Sequence, residues 1–285
     1  METLKSLLLS LRPHQWAKNL FVLVALVFSQ NLFNCADVFK SLAVFIAFCL
    51  ISSTVYLLND ITDLSTDQKH PFKKNRPLAA GQLTIKSACL ASFFLGLSAL
   101  MIAASINQSV LSIIVIYLLL NILYSLWLKT IPVINLLAVA LGFVLRAIAG
   151  AKAISVFISP WLLLCTFLVS WLLASGKRLA EQSTVNNGQQ YQPLWLKTSF
   201  IIALGVTIIV YILYTIDPTT ILRLKTSRLW LSVPFVVIGL LQYGLLALGK
   251  KPQALLADNP LSNRVVLLSV LGWIAAVLSI IYVKP

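Results

Sequence analysis

The sequence predicts an all-α, polytopic membrane protein with about nine transmembrane helices. Three observations predict it: 59% of the residues are hydrophobic, 11% are charged, and the apolar residues come in long runs spread evenly along the chain. A soluble domain needs roughly 25% charged residues to cover its surface. Length alone, 285 residues, suggests about two domains. No polar linker divides the apolar runs, however, so the expected organisation is one integral-membrane domain over residues 1–285.

A bilayer core of ~30 Å takes about 20 apolar residues per helix. Residues 1–12 read as a short basic amphipathic stretch with no small-residue cleavage site behind an apolar core. The first expected span is 15–33 and the second 38–58, which ends in Tyr56-Leu57-Leu58 just before a run of acids. Spans 84–104, 108–127 and 131–150 follow with short connections, and the last carries Arg146, which weakens its hydropathy. Span 159–176 runs into the charged sequence from Lys177, and 196–216, 228–248 and 264–283 complete the set. With the N-terminus inside, fifteen of the 22 basic residues fall on the inner side, six on the outer side, and Arg146 in a span. That asymmetry predicts an inside N-terminus and an outside C-terminus. The longer charged connections, 59–83, 177–195 and 249–263, then share the inner face, where function is expected.

The formal charge of +14 does not point to nucleic acid, because the cations sit in short loops between apolar runs rather than on a soluble face. That placement orients membrane proteins and attracts anionic lipids or substrates. The four cysteines (Cys35, Cys49, Cys89, Cys165) have neither metal spacing nor a disulfide framework and read as packing residues. His14 and His70 stand alone; no catalytic triad order, zinc spacing, Walker loop or dinucleotide fingerprint occurs.

The acids are informative because they are scarce. Of eight, three fall in Asn59-Asp60-Ile61-Thr62-Asp63-Leu64-Ser65-Thr66-Asp67, at a membrane exit. In a helix Asn59, Asp63 and Asp67 share a face. Stacked oxygen donors suit Mg²⁺, which takes a few carboxylates and completes its shell with water and phosphate. The alternative is a solvated helix end that happens to be acidic. The chain then changes sign: Lys69, Lys73, Lys74 and Arg76 lie within a loop broken by Pro71 and Pro77. Cations beside a carboxylate–metal site are what a diphosphate requires, although the positive-inside bias alone also places cations there.

A second polar entry, Ser175-Gly176-Lys177-Arg178-Leu179-Ala180-Glu181, follows span six. Lys177 and Glu181 share a helical face and form either a surface ion pair or the opposite wall of the site. Arg146 is expensive in a span and faces either an interior partner or a phosphate. In the N-terminal stretch, Trp16 and Lys18 fit ordinary interface anchors as well as a site.

Asn59-Asp60-x-x-Asp63-x-x-x-Asp67 followed by Arg76-Pro77-x-x-x-Gly81 resembles the first aspartate-rich motif of the UbiA prenyltransferase superfamily. The resemblance implies nine helices around a central cavity open to the cytoplasmic side. Members acting on prenyl diphosphates usually carry a second aspartate cluster after helix six, where this chain has Gly176-Lys177-Arg178-Leu179-Ala180-Glu181. That departure is similar to the decaprenyl-phosphate phosphoribosyltransferase subgroup. So are Arg12-Pro13-x-Gln15-Trp16-x-Lys18-Asn19, His70-Pro71-x-Lys73, Leu128-Lys129, Arg146-Ala147-Ile148-Ala149-Gly150, and Asp258 followed by Asn263-Arg264. Asn135 and Asn263 stand where acids are more often expected and receive no role.

The subgroup resemblance implies transfer of 5-phosphoribose from phosphoribosyl diphosphate (PRPP) to a polyprenyl phosphate, with release of pyrophosphate. It implies Mg²⁺ on Asn59, Asp63 and Asp67, and Asp60, Asp63, Asp67, Lys177 and Glu181 as catalytic residues. The expected substrate contacts are Lys18, Asn19, Lys73, Lys74, Arg76, Tyr124, Lys129, Arg146 and Arg178. It further implies a bacterial plasma-membrane location, a cytoplasmic site and a homotrimer. Two other readings remain: a prenyltransferase using a prenyl diphosphate and an aromatic or lipid acceptor, and a transporter of anionic lipids.

Overall fold

The structure, a computed structural model, describes residues 2–185, 194–249 and 260–283; the side chains of Glu2, Thr3, Pro132 and residues 181–185 are outside that description. Lys250, Lys251, Asp258 and Lys284 of the sequence reading lie outside the described residues. The chain is an all-helical integral membrane protein, and no strand occurs among the described residues.

Several of its helices begin where a side chain satisfies exposed backbone N–H groups. After the N-terminal helix α1 (Glu2–Leu11) come α2 (Val24–Phe28) and α3 (Cys35–Thr62), the last capped by Asn34, whose side chain accepts from the amides of Ala36 and Asp37. Helix α4 (Leu64–Lys69) continues α3 past a kink at Asp63. Thr84 caps α5 (Ile85–Ile106), Asn107 caps α6 (Gln108–Leu126), and Pro132 sits in the first turn of α7 (Pro132–Ala153). Then follow α8 (Pro160–Val185), α9 (Leu194–Ile216), α10 (Pro218–Leu224), α11 (Val233–Leu248) and α12 (Arg264–Tyr282). Asn263, given no role from the sequence, caps α12 by accepting from the amides of Val265 and Val266. Asp217 caps α10, and the Thr219 hydroxyl bonded to it holds its carboxyl below the usual carboxylate range.

Among the described residues, eight helical segments are long and apolar enough to cross a membrane. Eight of the nine expected spans therefore correspond to long helices, while 15–33 differs. There Pro13–Leu23 is a 3-10 helix and only Val24–Phe28 is α-helical. This segment packs against both α3 and α7, with Asn19 and Val22 buried. Gly150 on α7 lets it come so close that a Cβ there would lie 1.8 Å from the Val22 carbonyl oxygen. Hydropathy reports that the residues are apolar but not that the backbone is wound more tightly to fit a narrow passage.

The chain divides into two compact units. The first comprises residues 1–27 and 31–158; the second comprises 28–30 and 159–285. In the first, α3 packs against α5, α6 and α7 through Val44, Ala47, Phe48 and Ile51 on its own side, and through Ala99, Ile114 and Ala149 on its neighbours. Small residues allow close helix approach where lipid offers no hydrophobic driving force. In the second, α9 packs on α8 and α11, and α11 on α12; Tyr211 is tied to Ser232 and to Trp273. Several hydroxyls inside the spans bond back to their own helix, as Ser53 does to Cys49 O, Ser92 to Ala88 O and Thr207 to Ala203 O, whereas the buried Ser41 Oγ on α3 has no partner among the described residues.

Helix α1 has the inverse of a soluble pattern. Ser6 and Ser10 are buried, Leu4, Leu8 and Leu9 point outward, and Leu7 and Leu11 pack on the Leu57, Leu78 and Leu83 cluster.

Candidate active site

The acidic run lies where α3 gives way to α4. Helical spacing survives the kink, because the Asp63 amide donates to Asn59 O (2.9 Å) and the Asp67 amide to Asp63 O (2.8 Å). Asn59, Asp63 and Asp67 are thus successive turns of one face, as expected. What the sequence did not disclose is that each acid already has a cation. Asp60 is 3% exposed, and its Oδ1 accepts from Arg12 Nη2 at 2.5 Å and from Arg76 Nη1 at 3.1 Å. The same Arg76 Nη1 donates to Asp67 Oδ2 at 2.5 Å. At the more open edge, Lys129 Nζ lies 2.5 Å from Asp63 Oδ1, with both side chains about one-third exposed. Ser125 Oγ donates to Asn59 Oδ1.

The surrounding backbone positions these groups. Arg76 opens a compact turn in which the Ala80 amide donates to Arg76 O, and the Gln82 and Leu83 amides to Pro77 O. Gly81 takes a left-handed φ of 73°, which explains the glycine five residues after Arg76. Leu78 and Leu83 anchor the turn against Leu57 and Ala88. Asn135, also without a role at first, is buried and donates to Lys129 O, tying down the segment that carries Lys129. Arg12 holds φ 54° and ψ 58° just before Pro13 and stacks 5.0 Å from the Tyr56 ring centre. A non-glycine residue in that region carries roughly 1–3 kcal/mol of strain, tolerated where the surroundings over-determine it.

The other expected residues divide by location. Lys73 and Lys74 are exposed on the short 3-10 turn Lys73–Asn75, whose approach is fixed by His70 Nδ1 accepting from the amides of Phe72 and Lys73. Tyr124 is half-buried on α6, one residue before Ser125, and Lys18 is exposed on the 3-10 segment. Arg146 is a different case. It is 5% exposed, and donates to Asn19 Oδ1 (2.7 Å), Gly142 O (2.8 Å) and Tyr117 Oη (2.8 Å) while lying against the Phe48, Tyr117 and Phe143 rings. Asn19 also donates to Cys49 and Ser52. The structure thus pairs Arg146 and Asn19 with each other inside the first unit. Lys177 (exposed) and Arg178 (half-buried) stand on α8 in the second unit; the Glu181 side chain lies outside the described residues.

The donor chemistry suits a hard cation, because Asn59, Asp63 and Asp67 offer only oxygen. Among the described residues, though, no three His, Cys, Asp or Glu side chains converge to hold a metal ion. Arg76 and Lys129 take that place on the carboxylates.

Residues 19–257 match the UbiA prenyltransferase family. The chain belongs to this family. It is similar to decaprenyl-phosphate phosphoribosyltransferase of Corynebacterium glutamicum, 30% identical over 97% of this chain and 86% of that protein. The protein of the same name from Mycobacterium tuberculosis is 28% identical over 94% and 91%. A solved UbiA homologue from Archaeoglobus fulgidus, bound to DMAPP and Mg²⁺, superposes with a TM-score of 0.70 at 16% identity, covering 95% of this chain and 99% of that one. A digeranylgeranylglyceryl phosphate synthase gives 0.68 at 21% identity, covering 98% and 100%. This chain has the UbiA fold and is a membrane-bound transferase of that family.

Within this UbiA chain, Arg12, Ser125 and Asn135 are site-forming residues that sequence reasoning left without a role. Arg12 had a signal, since it opens the Arg-Pro piece of the motif. Gly176, ahead of Lys177, has a packing reason: a Cβ there would meet Tyr243 Oη at 2.3 Å, and that hydroxyl donates to Leu173 O. Gly176→Ala should therefore lower stability by about 1–3 kcal/mol. Adding Tyr243→Phe should recover part of the loss, as read by melting of the purified protein; an unchanged melting point in the single variant would remove the contact as the reason for glycine.

Proposed function

We propose that this chain transfers 5-phosphoribose from PRPP to a polyprenyl phosphate, releasing pyrophosphate, and that residues 1–285 act as one catalytic domain. The observation carrying the reading is the alternation of acids and cations at the end of α3, where Asp60, Asp63 and Asp67 are matched by Arg12, Lys129 and Arg76. A metal–diphosphate is itself an alternation of charge, so each of its ions finds a partner of opposite sign there. The names of the curated relatives support phosphoribosyl transfer to a polyprenyl phosphate, and Lys177-Arg178 in place of a second acid cluster argues against two metal-bridged carboxylate sets.

Mg²⁺ would be held by Asn59, Asp63 and Asp67, and when bound it would stabilise charge on the departing pyrophosphate. Arg76, released from Asp67 but still on Asp60, and Lys129, released from Asp63, would meet the diphosphate oxygens with Lys73 and Lys74. The bond from the anomeric carbon to the diphosphate oxygen breaks, and pyrophosphate leaves with the electron pair. An oxygen of the lipid phosphate forms the new bond to that carbon. Already anionic at neutral pH, this nucleophile needs orientation rather than a general base, and the Nδ1 of nearby His70 is taken by the amides of Phe72 and Lys73. Lys18, Lys177 and Arg178 would hold the acceptor phosphate or the ribose 5-phosphate, with Glu181 toward ribose hydroxyls or metal. The site would face the cytoplasm of a bacterial plasma membrane, in a homotrimer.

The test is pyrophosphate release by purified protein with Mg²⁺, using labelled PRPP plus polyprenyl phosphate in one sample and a prenyl diphosphate plus 4-hydroxybenzoate in the other. Label entering the lipid phase only in the first sample is the expected result. Turnover only in the second would replace this reading with prenyl transfer, and binding without release in both would favour transport.

A further inference from the structure

Asp60 and Asp67 are both buried and share Arg76, but Asp60 carries Arg12 as well. Asp63 is about one-third exposed and meets one lysine, whereas Asp60 is buried and both guanidiniums meet on its single Oδ1. Arg12 reaches it from a left-handed backbone turn and is stacked on Tyr56; Arg76 reaches it from the turn pinned by Leu78 and Leu83. Side by side, two guanidiniums repel one another, and a shared buried carboxylate is what offsets that repulsion. A metal on Asp60 would have to displace these cations or sit beside two positive charges on a carboxylate that water hardly reaches. At Asp63, one part-exposed lysine moves aside.

We infer that Asp60 is not a metal ligand but a positioning residue, holding Arg12 and Arg76 together so that their remaining N–H groups receive one phosphate group of the substrate. Each guanidinium has five N–H donors in a fixed fork, so the bonds to Asp60 and Asp67 leave donors over for an anion. Arg12 thereby joins the anion-binding set. The inference rests on the metal–diphosphate reading above.

The experiment uses the purified full-length chain, with Mn²⁺ as metal probe read by electron paramagnetic resonance and inorganic pyrophosphate as anion probe. Asp63→Asn should weaken Mn²⁺ binding by about tenfold or more. Asp60→Asn should leave the Mn²⁺ constant within about threefold but weaken pyrophosphate, at saturating Mn²⁺, by about 10–100-fold. Arg12→Ala should copy the pyrophosphate defect, and combining it with Asp60→Asn should add little, because both remove one clamp. Loss of Mn²⁺ in Asp60→Asn comparable to that in Asp63→Asn would make Asp60 a ligand and overturn the inference. Unchanged binding of both probes would overturn it too. Should Asp60→Asn fail to fold, Arg12→Ala decides: retained Mn²⁺ with weakened pyrophosphate supports the clamp, and unaltered pyrophosphate rejects it. If the unmodified chain binds no pyrophosphate with Mn²⁺, the diphosphate reading itself fails, a result distinct from all of these.

Discussion

Asp63→Ala is expected to cut pyrophosphate release by at least about 100-fold while the protein still inserts and melts normally. The expectation comes from comparing two magnitudes. Asp63 and Lys129 are each about one-third exposed, so their ion pair contributes about 0–1 kcal/mol to stability. The kink that Asp63 occupies is held by backbone hydrogen bonds from its amide to Asn59 and from the Asp67 amide to its carbonyl, which alanine retains. The carboxylate is therefore nearly dispensable for folding, and its loss falls on the chemistry. Lys177→Ala, exposed on α8, should behave alike. Measuring turnover with PRPP and polyprenyl phosphate beside a melting curve separates the two effects; full turnover in either variant would remove that residue from the site.

Gly150→Ala should act in the opposite way, destroying stability without touching a charged group. The added Cβ would lie 1.8 Å from the Val22 carbonyl oxygen and 2.8 Å from its carbon. Both are backbone atoms, so no rotamer relieves the overlap, and the 3-10 segment must part from α7. The cost should exceed the roughly 3 kcal/mol at the upper end of ordinary overpacking, lowering the melting point by about 6–12 °C or preventing recovery of folded protein. Gly205→Ala is the control: nothing lies within 4 Å of the Cβ it would add, and it sits inside α9, where alanine favours the helix by about 1 kcal/mol. Equal melting of the two variants would mean that the close approach is not what requires glycine.

These contrasts show which parts of the molecule were legible in the sequence. Long helices were, because hydropathy is a property of residue type and α3, α5 and α9 each need some 20 apolar residues whatever their neighbours. The acidic face was also legible, since Asn59, Asp63 and Asp67 are linked by helical spacing alone. Pairings across the chain were not. Arg12 is 48 residues from Asp60, and Lys129 is 66 from Asp63. Nothing local marks them as partners, and only folding of the first unit brings them within 2.5 Å. Arg146 illustrates the same limit. Its cost in a span demanded a partner, but the identity of that partner, Asn19 with Tyr117, is a matter of packing. The 3-10 passage of Pro13–Leu23 escaped because it depends on a glycine more than a hundred residues later.

The outward leucines of α1 bear on what must be counted as part of the folded protein. A ten-residue helix is marginal by itself, and one that turns Leu4, Leu8 and Leu9 away from its own core gains from an apolar medium what it cannot gain from water. The chain leaves α1 directly into Arg12, whose guanidinium sits on Asp60. Lipid around α1 would thus behave as a structural ligand, covering leucines that reach the last turn of the helix, next to the charge it helps to seat. Detergent that preserves the eight long spans yet wets α1 poorly would loosen Arg12 first, so two preparations with identical helix content could differ in the one ion pair nearest the chemistry.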